Sequence, residues 1–241
     1  LVGNRSGIFL ENALPMYYMA GYYDSYCDYL LTETESANAL VVRLESKLRC
    51  REIMAGLRAR AIMFVQFHQP LRNAIKSKSM GSNGRPPNQT QMGVVWRRMY
   101  EVADQIETEE NLDFIMNLNF CLFSDNPIAV AASRRFREKE SNAKLIDHLF
   151  DDDTDKELEI MTRQVLRTYG SAMKVRLEVK LGGASEFLKG GRFHPDNITD
   201  ELKELMDKTD ATTDYIESFF GVLDDTISGQ SDNISFHSAS V

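Results

Sequence analysis

The stretch ALVVRLESKLRCREIMAGLRARAIMFVQFHQPL, residues 39–71, decides the fold of this chain. Many of its apolar residues lie three or four positions apart, which is the period of one face of an α-helix. They are Ala39, Val42, Leu44, Leu48, Ile53, Leu57, Ile62, Phe64, Phe67 and Leu71. A proline inside a helix removes a hydrogen bond and clashes with the preceding turn. The pattern over residues 35–77 therefore predicts two helices, with Pro70 between them.

Helical spacing continues outward from this stretch. It predicts an aromatic-rich helix over 8–31, whose tyrosines are expected in the core or in a packed interface. It also predicts helices over 94–106, 109–123, 127–149 and 196–207. Residues 156–181 fit a helix at their start and an alternating strand at their end, and a helix ending at Gly182-Gly183 is favoured. The sequence therefore predicts a mainly α fold.

One segment interrupts the helical patterns. Residues 77–93 combine Gly, Pro, Ser and Asn with almost no large apolar side chains, which is typical of a linker loop. The predicted organisation follows from it. It consists of an N-terminal helical region 1–76, the linker 77–93, a second helical region 94–207, a C-terminal helix 208–225 and a polar tail 226–241.

Composition limits the classes of function. The chain has 241 residues, 43% of them hydrophobic, and a net charge of −8. An acidic balance argues against a stand-alone nucleic-acid-binding module, which is usually basic. The three cysteines are isolated and odd in number, so no disulfide framework is indicated and a reducing, intracellular setting is expected. Neither they nor the four histidines have metal-ligand spacing. No apolar run is long enough to span a membrane. Because the chain begins at Leu1, we expect it to be part of a longer protein.

The run ATTDYIESFFGVLDD, residues 211–225, places the carboxylate of Glu217 in a short apolar helix pattern. A carboxylate beside a core is costly unless it is exposed, paired or bound to a cation. Two interpretations stay open. Glu217 faces solvent or pairs with an arginine, or it is a ligand for a hard cation such as Mg²⁺.

This run resembles the C-terminal signature of hAT-type DNA transposases. Glu217 matches the last acid of their Asp-Asp-Glu catalytic set and Phe220 the phenylalanine that follows, whereas Ser218 and Gly221 replace the usual Arg and Ser. Arg5 matches the arginine of the Thr-Arg-Trp element that opens their helical insertion, although no tryptophan follows it here. The chain is also similar to uncharacterised invertebrate proteins of mobile-element character.

The resemblance implies a multi-helix insertion domain whose terminal helix packs on an RNase H-like core. The two catalytic aspartates would lie upstream of Leu1, so this chain alone is expected to be inactive. By resemblance, the cofactor would be Mg²⁺ or Mn²⁺ with Glu217 as catalytic residue and metal ligand, the reaction DNA strand cleavage and transfer, and the location nuclear.

Basic residues supply candidate DNA contacts. Arg97 and Arg98 follow Trp96, the only tryptophan, and Arg134 and Arg135 form a second cluster. Arginines neutralise phosphates and a tryptophan ring stacks on an unpaired base, so these residues, with Arg5, are the predicted DNA-binding set. The alternative is a solvated helix surface whose cations are balanced by Glu45, Glu52, Glu101 and Glu138.

The sequence is therefore compatible with three functions. The first is a part of a DNA transposase-like or transposon-derived protein, with DNA as partner. The second is a non-enzymatic helical interaction or scaffold domain, which the acidic charge and the missing catalytic partners favour. A viral helical protein is a third, without a motif of its own. Homo-oligomerisation is left open, and no membrane partner is expected.

Overall fold

The computed structural model describes residues 5–33, 38–76, 87–151, 155–179 and 185–209. The regular elements of these ranges are helices, which confirms the predicted mainly α fold. The α-helices are α1 (Arg5–Glu33), α2 (Ala39–Leu48), α3 (Arg51–Met63), α4 (Gln69–Lys76), α5 (Gln89–Thr108), α6 (Asp113–Met116), α7 (Pro127–Glu138), α8 (Glu140–Leu149), α9 (Lys156–Val179) and α10 (Asp200–Lys208). A π-helical turn spans Phe64–His68, and a 3₁₀ turn spans Ser185–Phe187.

The stretch that decides the fold forms one helical run from α3 to α4, so the predicted break at Pro70 is wrong. The π-helical turn lies directly before this proline, and the Gln69 amide donates to the Phe64 carbonyl five residues back. A π turn is wider than an α turn. We infer that it gives the proline ring the room that a regular helix denies it. The chain breaks instead at Cys50, between α2 and α3.

The core is built around α9, which packs against α3 on one side and α5 on the other. Helix α1 packs on α3, and α10 packs on α5. The largest fully buried side chains include Ile62, Phe67, Met99, Ile106 and Tyr169, which come from both predicted helical regions. The regions 1–76 and 94–207 therefore share one hydrophobic core.

Gly170 sets the distance between α5 and α9. A Cβ atom at this position would lie 2.8 Å from Ile106 Cγ2 and 2.9 Å from the Ala103 carbonyl oxygen. Real Cβ atoms do not approach other atoms so closely, and one of the two obstacles is helix backbone. The absence of a side chain at Gly170 therefore allows the two helices to cross where they do.

Local capping signals explain where several helices begin. Asn88 and Gln91 form a reciprocal capping box, so α5 starts inside the predicted linker and residues 89–93 are helical. Asn126 caps α7, with Pro127 in the first turn as its fixed φ favours. Asp155 Oδ1 accepts a hydrogen bond from the Glu157 amide at 3.0 Å, so an acidic side chain satisfies a free amide in the first turn of α9.

Several of the predicted helices have other bounds in the structure. The helix predicted over 109–123 is reduced to α6, and the one over 127–149 is divided at Lys139. The preferred helix over 156–181 is confirmed as far as Val179 by α9, and its predicted end at Gly182-Gly183 lies outside the described residues. Helix α10 begins at Asp200 behind the capping hydroxyl of Thr199. Most of the predicted helix 208–225 and all of the tail 226–241 lie outside the described residues. Among the helices described, none is long and apolar enough to cross a membrane.

Candidate functional site

Trp96 belongs to the core. It is 4% exposed and belongs to the same buried cluster as Met92 and Met99 of α5. A ring enclosed in this way has no face free for a nucleic-acid base, so the prediction that Trp96 stacks on an unpaired base is wrong for this fold. The apolar period of α5 already indicated that Trp96 is buried, because it lies four residues after Met92 and three before Met99.

The two arginines after Trp96 hold neighbouring backbone. Arg97 Nη1 lies 3.5 Å from the Phe187 carbonyl oxygen, and burial lowers the pKa of this guanidinium. Arg98 Nε donates to the Leu122 carbonyl at 3.0 Å, and its Nη1 lies 3.2 Å from Glu101. Both side chains thus join α5 to other segments of the fold. Arg98 also pairs with Glu101, one of the acids expected to balance the cations on a solvated helix surface.

Arg134 and Arg135 remain at the surface of α7. Arg134 Nε lies 2.7 Å from Glu138 Oε1, and this hydrogen bond raises the pKa of the arginine. Arg135 Nε donates to the Ala131 carbonyl of its own helix at 3.3 Å. Both side chains are exposed. Of the predicted DNA contacts whose side chains are described, these two are the most open to a phosphate.

Arg137 is the neighbouring arginine of α7 that points inward. Its guanidinium donates to the carbonyls of Leu118 and Phe120 and, at 2.9 Å, to Gln66 Oε1. Gln66 in turn donates to the Asn117 carbonyl at 2.8 Å. Burial lowers the pKa of Arg137. The sequence shows three arginines within the four positions 134–137. Only the tertiary fold reveals that Arg137 is the one that points inward.

The basic residues of the first helical region are also engaged. Arg49 forms ion pairs with Asp24, Asp28 and Glu45. Arg58 is buried, and its Nε and Nη2 donate to the Leu149 carbonyl at the end of α8. A cation is favoured there because the carbonyl end of a helix carries partial negative charge. Many of the described arginines thus bind carboxylates or backbone carbonyls of this same chain.

The structure does not describe the side chains of the predicted metal ligand, Glu217, and of one predicted DNA contact, Arg5. Glu217 is outside the described residues, so its helix and its role stay predictions. Arg5 is the first residue of α1, and its side chain is outside them as well. In the ranges that are described, no group of three or more His, Cys, Asp or Glu side chains could hold a metal ion.

Comparisons with protein-family models, with curated proteins and with solved structures found no match for this chain.

Proposed function

We propose that this chain is the helical insertion region of a DNA transposase-like or transposon-derived protein, together with the run that supplies its last catalytic acid. The observation that carries the proposal is the order of elements. The described residues between Arg5 and Lys208 are mainly helical, and Glu217 follows nine residues after the last helix described (217 − 208 = 9). The resemblance stated above expects this order.

In this proposal Glu217 is a ligand for Mg²⁺ or Mn²⁺, which would stabilise the charge on the phosphate that reacts. The described residues contain no second ligand set, so the other carboxylates would come from outside them. The helical body then has a positioning role. It presents the DNA-facing cations and precedes the Glu217 run in the chain.

The catalytic proposal is tested in the complete protein that contains this chain. We expect Mg²⁺-dependent DNA strand cleavage that Glu217→Gln abolishes, because the amide keeps the size of the side chain and loses its charge. Glu204→Gln, on the exposed surface of α10, is the matched control and should leave cleavage unchanged. Equal cleavage by the Glu217→Gln protein would contradict the role given to this residue.

DNA contact by α7 is a separate prediction. Replacing Arg134 and Arg135 together by serine should weaken DNA binding for all sequences and reduce the slope of log K against log salt by about 2, since each phosphate contact contributes about 0.9. Affinity is measured by fluorescence anisotropy at several salt concentrations. The control replaces Arg43 and Lys47, two exposed cations of α2, by serine. An equal loss in both proteins would show a non-specific effect of charge.

A non-enzymatic helical interaction domain is the second candidate. It is favoured by a specific observation: Trp96 is buried, and Arg97 and Arg98 bind backbone carbonyls of the same chain. A complete protein that binds a partner and cleaves no DNA, with or without Glu217, would support this candidate against the first.

A further inference from the structure

The last described segment, residues 185–209, lies against the N-terminal half of α5, and we name it the strap. It contains the 3₁₀ turn Ser185–Phe187, a loop and helix α10. The 3₁₀ turn packs against α5 and α9, and α10 packs against α5. Three apolar residues of the strap are buried, namely Phe187, Leu188 and Met206. The strap therefore covers part of the apolar side of α5.

Contacts within the strap hold its loop together. The Phe193 amide donates to the Glu186 carbonyl at 2.7 Å. The Asn197 side chain donates to the Gly191 carbonyl at 2.9 Å. The rings of Phe187 and Phe193 lie 5.2 Å apart. A segment whose parts support one another in this way opens as one cooperative unit rather than residue by residue.

Hydrogen bonds between the strap and α5 lie at the two ends of the strap. At its C-terminal end, the Gln89 amide donates to the Thr209 carbonyl at 3.1 Å, and the Asn88 side chain donates to the backbone of α10 at 3.2 Å. At its N-terminal end, Arg97 Nη1 lies 3.5 Å from the Phe187 carbonyl oxygen, which is the limit of a hydrogen bond. Gln89 is the first residue of α5, so its amide has no acceptor within that helix and depends on the strap.

Ion pairs join helices of the bundle but do not reach the strap. Lys174 of α9 binds Asp104 and Glu107 of α5. In the part of the chain that the structure describes, the ion pairs of the strap lie within it, as between Lys208 and Glu204 at 2.6 Å. The strap is thus held on α5 by its buried apolar side chains and by the hydrogen bonds at its ends.

Gly93 of α5 provides the space in which the strap is anchored. A Cβ atom at Gly93 would lie 2.7 Å from Phe187 Cδ1, closer than real Cβ atoms approach other atoms. The Phe187 ring therefore lies directly on the backbone of α5. We propose that the strap is a detachable cover, which opens as one unit and uncovers the apolar side of α5 around Gly93 while the bundle of α1, α3, α5 and α9 stays folded. This inference needs neither DNA nor Glu217, so it does not rest on the proposed function.

Native-state amide hydrogen exchange of the purified chain tests the proposal. The amides of Gln89, Phe193 and Lys203 all donate to carbonyls of the strap, so they should share one opening equilibrium and exchange faster than the Met99 amide of the bundle. Gly93→Ala should speed the exchange of these three amides at least about tenfold and leave Met99 unchanged, because overpacking destabilises the closed state alone. Helix α5 is present in both states, so the higher helix propensity of alanine cancels.

Two further variants make the test specific. The control Gly56→Ala adds the same methyl group to α3, where no atom lies within 4 Å of the new Cβ, and should leave the exchange of the strap unchanged. Phe187→Ala removes the anchor from the other side of the contact and should act as Gly93→Ala does, with circular dichroism as the check that each variant keeps its helices. The proposal is overturned if Gly93→Ala and Gly56→Ala give equal exchange at Gln89. It is also overturned if the Met99 amide accelerates as much as the Gln89 amide, since the strap would then open only together with the bundle.

Discussion

Replacing Gly170 by leucine is expected to destabilise the protein by about 3 kcal/mol, at the upper end of what overpacking costs. The site for a Cβ atom is already taken by Ile106 Cγ2 at 2.8 Å and by the Ala103 carbonyl oxygen at 2.9 Å. The carbonyl belongs to the backbone of α5, so relief requires that α5 and α9 move apart. Their contact is the centre of the core, and no single side chain can absorb the shift.

Urea unfolding followed by circular dichroism measures this effect. The matched control is Gly21→Leu, since Gly21 also lies in a helix and a Cβ atom added there would have no neighbouring atom within 4 Å. Leucine has the better helix propensity by about 0.8 kcal/mol, so the control should be neutral or slightly stabilising. If Gly170→Leu unfolds at the same urea concentration as Gly21→Leu, the close crossing of α5 and α9 is wrong.

The two glycines illustrate what a sequence reveals and what it conceals. Helices α1 and α9 were predictable because their apolar period is a local signal. Gly170 and Gly21 are each a glycine inside a helical pattern, and nothing local distinguishes them. The difference arises when α9 meets α5, at residues more than 60 positions apart along the chain (170 − 106 = 64). Pro70 is a similar case, because the π turn that accommodates it has no recognised sequence signal.

The candidate site also has features that the sequence reveals and features that only the fold determines. Residue types and charge could be read from the sequence, and they led to Trp96 and the arginines as a DNA-binding set. The partners of those side chains could not be read. Arg97 and Arg98 bind carbonyls of Phe187 and Leu122, which belong to distant segments, whereas Arg134 pairs with Glu138 at the local i,i+4 spacing that a sequence does show.

Replacing Arg137 by methionine is expected to lower the free energy of unfolding by about 2–4 kcal/mol. Hydrogen bonds to a charged donor contribute about 1.5–3 kcal/mol, and buried acceptors that are left unpaired add to the cost. Methionine keeps the length and the apolar contacts of the side chain. It leaves the carbonyls of Leu118 and Phe120 and the Gln66 amide oxygen without their donor.

The same helix supplies the control for this prediction. Arg135→Met removes an arginine two residues away whose one described contact is with its own helix, so it should change the free energy of unfolding by less than about 0.5 kcal/mol. Amide hydrogen exchange adds a local measurement. In Arg137→Met the Phe120 amide, which donates to the Asn117 carbonyl at 3.0 Å, should exchange faster, because the segment loses the guanidinium that fixes it. Equal stability of the two variants would show that Arg137 is as dispensable as its exposed neighbours, and that the turn after α6 is held by its apolar contacts.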